Sequence, residues 1–295
     1  MSRSASAGVT EVVTHGESVQ MSWTGAPKLV NIGKVHWLGA WYVAEYRLRN
    51  MSKWVAAIVA FGLGNPILYL FSVGLGVGAL VDKSVGPNGI DGVSYLLFLA
   101  PALLASAAIQ GAMDETSFPT IQGFVWDKSF WAMNSTQLSG GQIANGVMIA
   151  SLIRCLFTVF AYEAVLLAFG AIPWSTVVPL AFASMLAGWA FAVVMLAGIS
   201  FVKRDDGVFA IIGRFVIAPM FMFSGTFYPL ESLPIWLQPI GWVSPLWHAA
   251  DLGRFLAYGK PVEPWLVSVH YGYFLVMILA GTIVGIRQFN RRLAK

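Results

Sequence analysis

The 295-residue chain is 57% hydrophobic and only 11% charged, whereas a soluble domain carries roughly 25% charged residues. That balance excludes an ordinary soluble enzyme. The net charge of +4 is too thinly spread to form a nucleic-acid footprint, and the single cysteine, Cys155, excludes an internal disulfide and a cysteine metal site.

The chain opens on a Ser/Thr/Gly-rich stretch without periodic apolar residues, so residues 1–33 are expected to be a disordered cytoplasmic tail. No cleavable signal peptide is expected, and the first apolar run is expected to serve as an uncleaved anchor. Residues 34–53 read as an amphipathic interfacial helix. There Trp37, Trp41, Ala44, Leu48 and Met51 recur at helical spacing among Lys34, Arg47, Arg49 and Lys53.

Six apolar runs follow, at residues 54–80, 93–113, 147–169, 176–202, 208–227 and 265–286. Each reaches the ~20 residues a helix needs to cross ~30 Å of hydrocarbon. Backbone amides in lipid must bond internally, so the runs read as spanning helices. Asn65-Pro66 predicts a bend in the first run, and Gly74 with Gly78 a close helix approach.

Of the 18 lysines and arginines, 13 fall on the termini and alternate connections: Arg3, Lys28, Lys34, Arg47, Arg49, Lys53, Lys128, Lys203, Arg204, Arg287, Arg291, Arg292 and Lys295. The other side holds Lys83, Arg254 and Lys260. Basic loops stay inside, which puts both termini in the cytoplasm. The fold class is thus an all-α integral membrane protein, with a six-span domain at 54–286 and a basic tail at 287–295.

Two connections are unusual. The long inner one, 114–146, holds Phe118, Ile121, Phe124, Trp126, Phe130, Trp131 and Met133 with few charges. Such aromatics need a membrane surface or a protein partner. The last outer one, 228–264, mixes Pro229, Pro234, Pro239 and Pro245 with Trp236, Trp242 and Trp247. It is too broken to span and too apolar for free water, so it reads as two short re-entrant or interfacial helices capping the outer face.

Three ionisable residues, Arg154, Glu163 and Arg214, fall inside runs and are functional candidates on grounds of cost. The arginines either snorkel to inner-leaflet phosphates or line an inner cavity for an anionic headgroup. Nine residues separate Arg154 from Glu163, which places them on opposite helix faces. Leu138-Ser139-Gly140-Gly141-Gln142 matches the signature pentapeptide of ATP-binding-cassette ATPases, but no Gly-rich loop ending in Gly-Lys-Ser/Thr accompanies it. Ser139 reads instead as the N-cap of the third span. Ser244, His248 and Asp251 fall at i, i+4 and i+7 and imitate a catalytic triad, though Pro245 disturbs the helix; capping and surface hydrogen bonding is the ordinary reading.

Two blocks resemble the type-2 ATP-binding-cassette (ABC-2) export permeases, closest to the nodulation-factor and daunorubicin-resistance branch. The first runs through Glu115-Thr116, Gly123-Phe124, Phe130-Trp131-Ala132-Met133, Thr136, Leu138-Ser139 and Ile143. The second runs Phe223-Ser224-Gly225-Thr226-Phe227-Tyr228-Pro229, then Leu233-Pro234, then Pro245-Leu246-Trp247-His248-Ala249-Ala250-Asp251-Leu252 and Arg254. Gln137 stands where the family usually has proline.

The resemblance implies a half-transporter of the bacterial cytoplasmic membrane, without an ATPase site of its own. It would pair with a second copy or a related permease and with separate ATPase subunits that hold ATP and Mg. Phe118, Ile121, Phe124, Trp126, Lys128 and Trp131 are then candidates for ATPase coupling. Arg154, Arg214 and Glu163 are candidates for the substrate pathway, and Phe221, Met222, Phe223, Phe227 and Tyr228 for an outer gate. The expected cargo is a lipid-linked, glycolipid or hydrophobic drug-like amphiphile. An intramembrane lipid-modifying enzyme and a proton-coupled carrier using Glu163 are the competing readings.

Overall fold

Long apolar stretches that satisfy their own amides become helices, and the described residues form a helical bundle. The computed structural model describes residues 32–85, 90–204 and 207–294. Residues 1–31 of the tail expected at 1–33, the turn at 86–89 and the charged pair at 205–206 lie outside them, as do the surroundings of Asn65, Pro66 and Gly74; the last two residues of that expected tail, 32 and 33, are helical. The chain divides into two units, Met1–Leu38 and Gly39–Lys295. The first is described only from Ile32 and contributes the opening of helix α1 (Ile32–Ser52).

The first apolar run is helical from α2 (Val55–Tyr69) through a π-helical stretch, Leu70–Val77, into α3 (Gly78–Val85). Then come α4 (Tyr95–Thr116), α5 (Phe118–Ile121), a second π turn at Gln122–Trp126 and α6 (Ser129–Asn134). The long helices α7 (Gly140–Ala168) and α8 (Val177–Ile199) follow. The fifth run is α9 (Val208–Ile212), a π turn at Gly213–Ile217 and α10 (Ala218–Phe223). Beyond it lie α11 (Gln238–Val243), α12 (Pro245–Tyr258) and α13 (Pro264–Leu293).

Among the described residues, four helical stretches are long and apolar enough to cross a membrane: Tyr95–Trp126, Gly140–Ala168, Trp174–Ile199 and Pro264–Leu293. Val208–Phe223 is a shorter apolar helix.

Helix starts follow local chemistry. Ser139 caps α7 in a capping box: its hydroxyl accepts from the Gln142 amide at 3.2 Å, and the Gln142 side chain accepts from the Ser139 amide at 2.9 Å. The pentapeptide that imitates a nucleotide signature is thus a helix N-terminus. This cap starts α7 seven residues before the apolar run at 147. Helix α13 overruns its apolar run in the other direction, because Arg291 and Arg292 suit the negative end of the helix dipole.

Helix α4 sits at the centre, packed on α7, α8 and α12. Its buried face includes Phe98, Leu99, Leu104, Ala108 and Ala112. The tightest junction is at Gly188 of α8, where an added Cβ would lie 2.7 Å from both the Ala108 carbonyl oxygen and Cys155 Sγ. Three helices meet there only because that side chain is a hydrogen. Around this core the exposed side chains are themselves large and apolar, including Phe160, Phe182, Leu275, Val276 and Leu279. A surface of that kind suits lipid rather than water.

Arg254, assigned from sequence to a loop on the weakly charged side, is instead 2% exposed inside α12. Its Nε donates to Phe98 O at 3.3 Å, and one terminal nitrogen donates to Gly225 O at 2.8 Å and Thr226 O at 3.2 Å. Of the other two basic residues assigned to that side, Lys83 is exposed on α3 and Lys260 is half-buried against Asp251. On the same reckoning, the hydrogen bonding expected at the surface around His248 and Asp251 takes place among buried side chains.

Gly188→Val should destabilise the protein in detergent by about 1–3 kcal/mol, read as a lower thermal unfolding midpoint, because the three-helix junction cannot relax. Gly198→Ala, in the same helix with nothing within 4 Å of its would-be Cβ, should leave it unchanged or raise it.

Candidate functional site

One end of the bundle gathers cations and aromatics, and two cavities open there. The first, about 490 Å³, is lined by α1, the α1–α2 connection, the end of α4, the α5–α6 segment and α7, among them Tyr46, Arg47, Lys53, Trp54, Glu115 and Arg154. Arg47 is held by a buried pair across it: its Nε donates to Glu115 Oε1 at 2.7 Å and a terminal nitrogen donates to Glu115 O at 3.2 Å. Arg154 is less committed. Its nearest carboxylate, Asp114 Oδ2, is 3.6 Å away, and its buried Nε has no hydrogen-bond partner among the described residues. A guanidinium with unmet donors on the wall of a cavity can receive an anion.

The second cavity, about 410 Å³, is lined by Phe124, Val125, Lys128, Trp131, Lys203 and Arg292. Phe124, Phe130 and Phe289 form a ring cluster with centroids 4.7 to 5.5 Å apart. The Arg292 guanidinium lies 4.0 Å above Phe124 and donates to Ser200 O at 3.0 Å and Val202 O at 2.6 Å. Trp131 Nε1 donates to Phe124 O, and Asn134 Nδ2 donates to Leu293 O. The α5–α6 segment is therefore bonded to the end of α13, which in turn is bonded to the end of α8.

These contacts sort the six coupling candidates. Phe124 is 3% exposed and Ile121 is also buried, so both belong to the protein's own core. Phe118 (52% exposed), Trp126 (45%), Trp131 and Lys128 face outward. Phe118 and Trp126 meet edge-on at 4.7 Å, and Phe118 also reaches Phe209 of α9 at 5.7 Å. Lys128 takes a left-handed backbone (φ +54°), and Asp127 Oδ1 accepts from the Ser129 amide, which fixes the turn.

The pathway candidates do not come together. Arg214 sits exposed on the π turn at Gly213–Ile217 and does not line the cavity of Arg154. Glu163 lies about 13 Å along α7 from Arg154 by helix rise. It is 1% exposed, and neither carboxyl oxygen has a hydrogen-bond partner among the described residues.

At the other end, the gate candidates surround the turn at Ser224–Tyr228. Phe227 stacks near Tyr69 (6.2 Å) and Phe221 (6.1 Å), and its carbonyl accepts from Tyr95 Oη at 3.1 Å. Tyr228 Oη donates to Met222 O; Met222 is exposed and Phe223 half-buried.

The imitation triad has no triad geometry. Ser244 Oγ is buried without a partner among the described residues. His248 spends Nε2 on Trp242 O (2.9 Å) and Nδ1 on His270 Nδ1 (2.8 Å). No base is left for a serine, which removes the observation behind a serine-type lipid enzyme. Sequence reasoning missed His270, the Arg47–Glu115 pair and the Arg292–Phe124 stack. Their partners are 22, 68 and more than 160 residues apart, beyond any local pattern.

The family profile described as ABC-2 type transporter matches residues 41–258. Nodulation protein J of Rhizobium leguminosarum bv. viciae is 29% identical over 266 residues, covering 89% of this chain and 97% of that protein. Nodulation protein J of Neorhizobium galegae is 28% identical over 275 residues, covering 89% and 96%. The probable multidrug ABC transporter permease YbhR of Escherichia coli K12 is 28% identical over 174 residues, covering 55% and 44%. The matched span takes in the central helix, both cavities' main walls and the turn beside Arg254, and the chain belongs to the ABC-2 type transporter family, as a multi-pass membrane component of a transporter.

Proposed function

We propose that this chain is the membrane half of an ATP-driven exporter. In this reading α2–α3 and α9–α10 are the first and fifth spans and complete six crossings with α4, α7, α8 and α13. The basic end faces the cytoplasm of a bacterial cell, both termini lie there, and α11–α12 form the re-entrant cap of the outer face. Two such permeases, identical or related, meet in the membrane. Separate ATPase subunits bind ATP and Mg below them, and this chain binds neither.

The observation that carries the reading is the exposed aromatic and basic surface of α5–α6, with Phe118, Trp126, Lys128 and Trp131. It is mechanically joined to the bundle through Arg292 and Asn134. An ATPase that closes on ATP supplies the differential binding that biases a two-state permease. Its push on α5–α6 reaches α13 and α8 directly, because those helix ends carry the hydrogen bonds. The first cavity, with Arg154 beside Trp54 and Tyr46, suits the anionic headgroup of an amphiphile whose apolar part stays in lipid. The aromatic turn at Phe221–Tyr228 is the exit constriction. The cargo class is lipid-linked, glycolipid or hydrophobic drug-like; the name of the multidrug relative supports the last of these.

Purification of the tagged protein in mild detergent should bring along a stoichiometric subunit with a Gly-rich phosphate-binding loop; recovery of this chain alone after crosslinking would sink the proposal. Trp126→Asp combined with Lys128→Glu should abolish that co-purification while the permease stays folded. Phe124→Asp should instead unfold the inner end, since it places a carboxylate in the ring cluster. In vesicles holding the reconstituted complex, Arg154→Gln should reduce transport of an anionic amphiphile about tenfold or more, the loss of one charge-assisted hydrogen bond, with basal ATP hydrolysis unchanged. Equal transport of anionic cargo by both proteins would remove Arg154 from the pathway.

A further inference from the structure

A chain of buried polar groups ties three elements together at the end opposite the basic one. Trp242 O of α11 meets His248 Nε2 of α12 at 2.9 Å. His248 Nδ1 meets His270 Nδ1 of α13 at 2.8 Å. His270 Nε2 meets Asp251 Oδ2 at 3.1 Å, and Lys260 Nζ donates to Asp251 Oδ1 at 2.7 Å. His248, Asp251 and His270 are all buried.

Proton counting constrains this chain. A carbonyl oxygen can only accept, so His248 Nε2 must carry a proton. A carboxylate can only accept, so His270 Nε2 must carry another. The central contact joins two ring nitrogens at hydrogen-bond distance, and one of them must donate. Three protons on four nitrogens leave the pair with one positive charge. Moving a proton from His270 to Asp251 does not change the count for the group. With one proton fewer, two lone pairs face each other at 2.8 Å, or a ring nitrogen faces an oxygen acceptor, in a site that water does not reach.

We infer that His248 and His270 form a buried proton-binding site, holding one excess proton between them, and that this proton fastens α11 and α12 to the last long helix. Asp251 supplies the carboxylate that faces this charge. The groups around it are the Lys260 ammonium, shared with Asp251; the Tyr273 ring, stacked on His248 at 4.0 Å with its hydroxyl donating to Val243 O; and the Trp247 ring, edge-on to both imidazoles. Arg254, one turn from Asp251, spends its donors on backbone carbonyls.

Burial and the neighbouring His270 push His248 down to about 4. Burial alone would raise Asp251, but hydrogen bonds from His270 and Lys260 outweigh it and hold the carboxyl at about 2. The signs then follow. A lowered histidine loses stability as pH falls from 6.5 through about 4, and a lowered carboxylate as pH falls from 3.8 toward about 2. The shared proton acts in the opposite direction: its contribution is present at neutral pH and lost as pH rises. The attachment of α11–α12 is therefore weakened on both sides of neutrality. That this responds to external pH rests on the orientation proposed above; the proton count does not.

The test needs neither substrate nor ATPase. His15→Gln with His36→Gln leaves the two histidines of the pair in the full chain. In lipid nanodiscs with nitrogen-15-labelled histidine, the spectrum should show one acceptor-type ring nitrogen at pH 6 to 7 and a second one appearing at alkaline pH. Two acceptor-type nitrogens at pH 6 would overturn the inference, because both imidazoles would then be neutral. As a second readout, the wild-type melting midpoint should fall by several degrees between pH 7 and pH 9.5, and His270→Gln should lack that fall. A wild-type midpoint with the same alkaline slope as His270→Gln would count against the fastening role.

Discussion

A guanidinium cannot be left unmatched inside an apolar bundle, and the position of Arg254 organises the structure around that demand. Its donors go to the carbonyl of Phe98 in the first turn of α4 and to the carbonyls of Gly225 and Thr226, while its carbon lies 3.7 Å over the Phe98 ring. Carbonyls can point inward at residues 225 and 226 because Gly225 takes a left-handed backbone, at φ +70°. One buried cation therefore fixes the central helix, the turn at Ser224–Tyr228 and α12 against one another. Tyr95 adds a bond to the next carbonyl of the same turn, and Ser224 and Thr226 pair their hydroxyls at 2.8 Å. Of the gate candidates, Phe227 and Tyr228 sit on this turn, and Phe221, Met222 and Phe223 on the helix that leads into it.

At the basic end the fastening is different in kind. A salt bridge joins Arg47 to Glu115, and an arginine over an aromatic cluster joins α5–α6 to the ends of α8 and α13. These are joints between helix ends rather than a clasp around a turn. Two of the three π segments, Gln122–Trp126 and Gly213–Ile217, carry candidate residues of this region, Phe124, Trp126 and Arg214. A π turn widens a helix by one residue and re-aims the side chains around it. Phe124 thereby points into the ring cluster while Trp126 stays exposed.

The legible part of the sequence was the part written in local pattern. The apolar runs became helices, and Ser139 became a cap, because length, apolar content and a hydroxyl three residues before a glutamine act within a few turns. Sequence reading left a membrane surface or a protein partner open for the aromatic loop and did not show that Phe124 packs into the protein's own core, since a run of Phe and Trp reads the same in each place. Only the partners of Phe124 on α13, Phe289 and Arg292, decide it. Arg254 misled for a related reason: a cation in a proline-rich connection looks solvated until the carbonyls that receive it are brought across from α4. His248 and Asp251 attracted attention as part of a mock triad, whereas the residue that gives them a role, His270, lies on another helix.

Helix α13 links the two ends physically. Its 30 residues span about 45 Å as one uninterrupted helix. It carries His270 near its first turns and Phe289 and Arg292 near its last, so a single stiff element holds the histidine pair at one end and the α5–α6 joint at the other. Along its middle it is pressed onto α8 at Gly281, where an added Cβ would be 2.9 Å from the Val194 amide. Contact that close resists sliding and rotation more than it resists a small tilt. In the proposed exporter, a displacement delivered at Arg292 is carried along the helix instead of being absorbed locally. The elements it reaches at the far end are held by the histidine pair and by Tyr273 Oη, which donates to Val243 O, while the clasp around Arg254 keeps the adjacent turn in place. The Arg254 clasp and the histidine pair both draw on α12, and of the two it is the histidine pair that is bonded to α13.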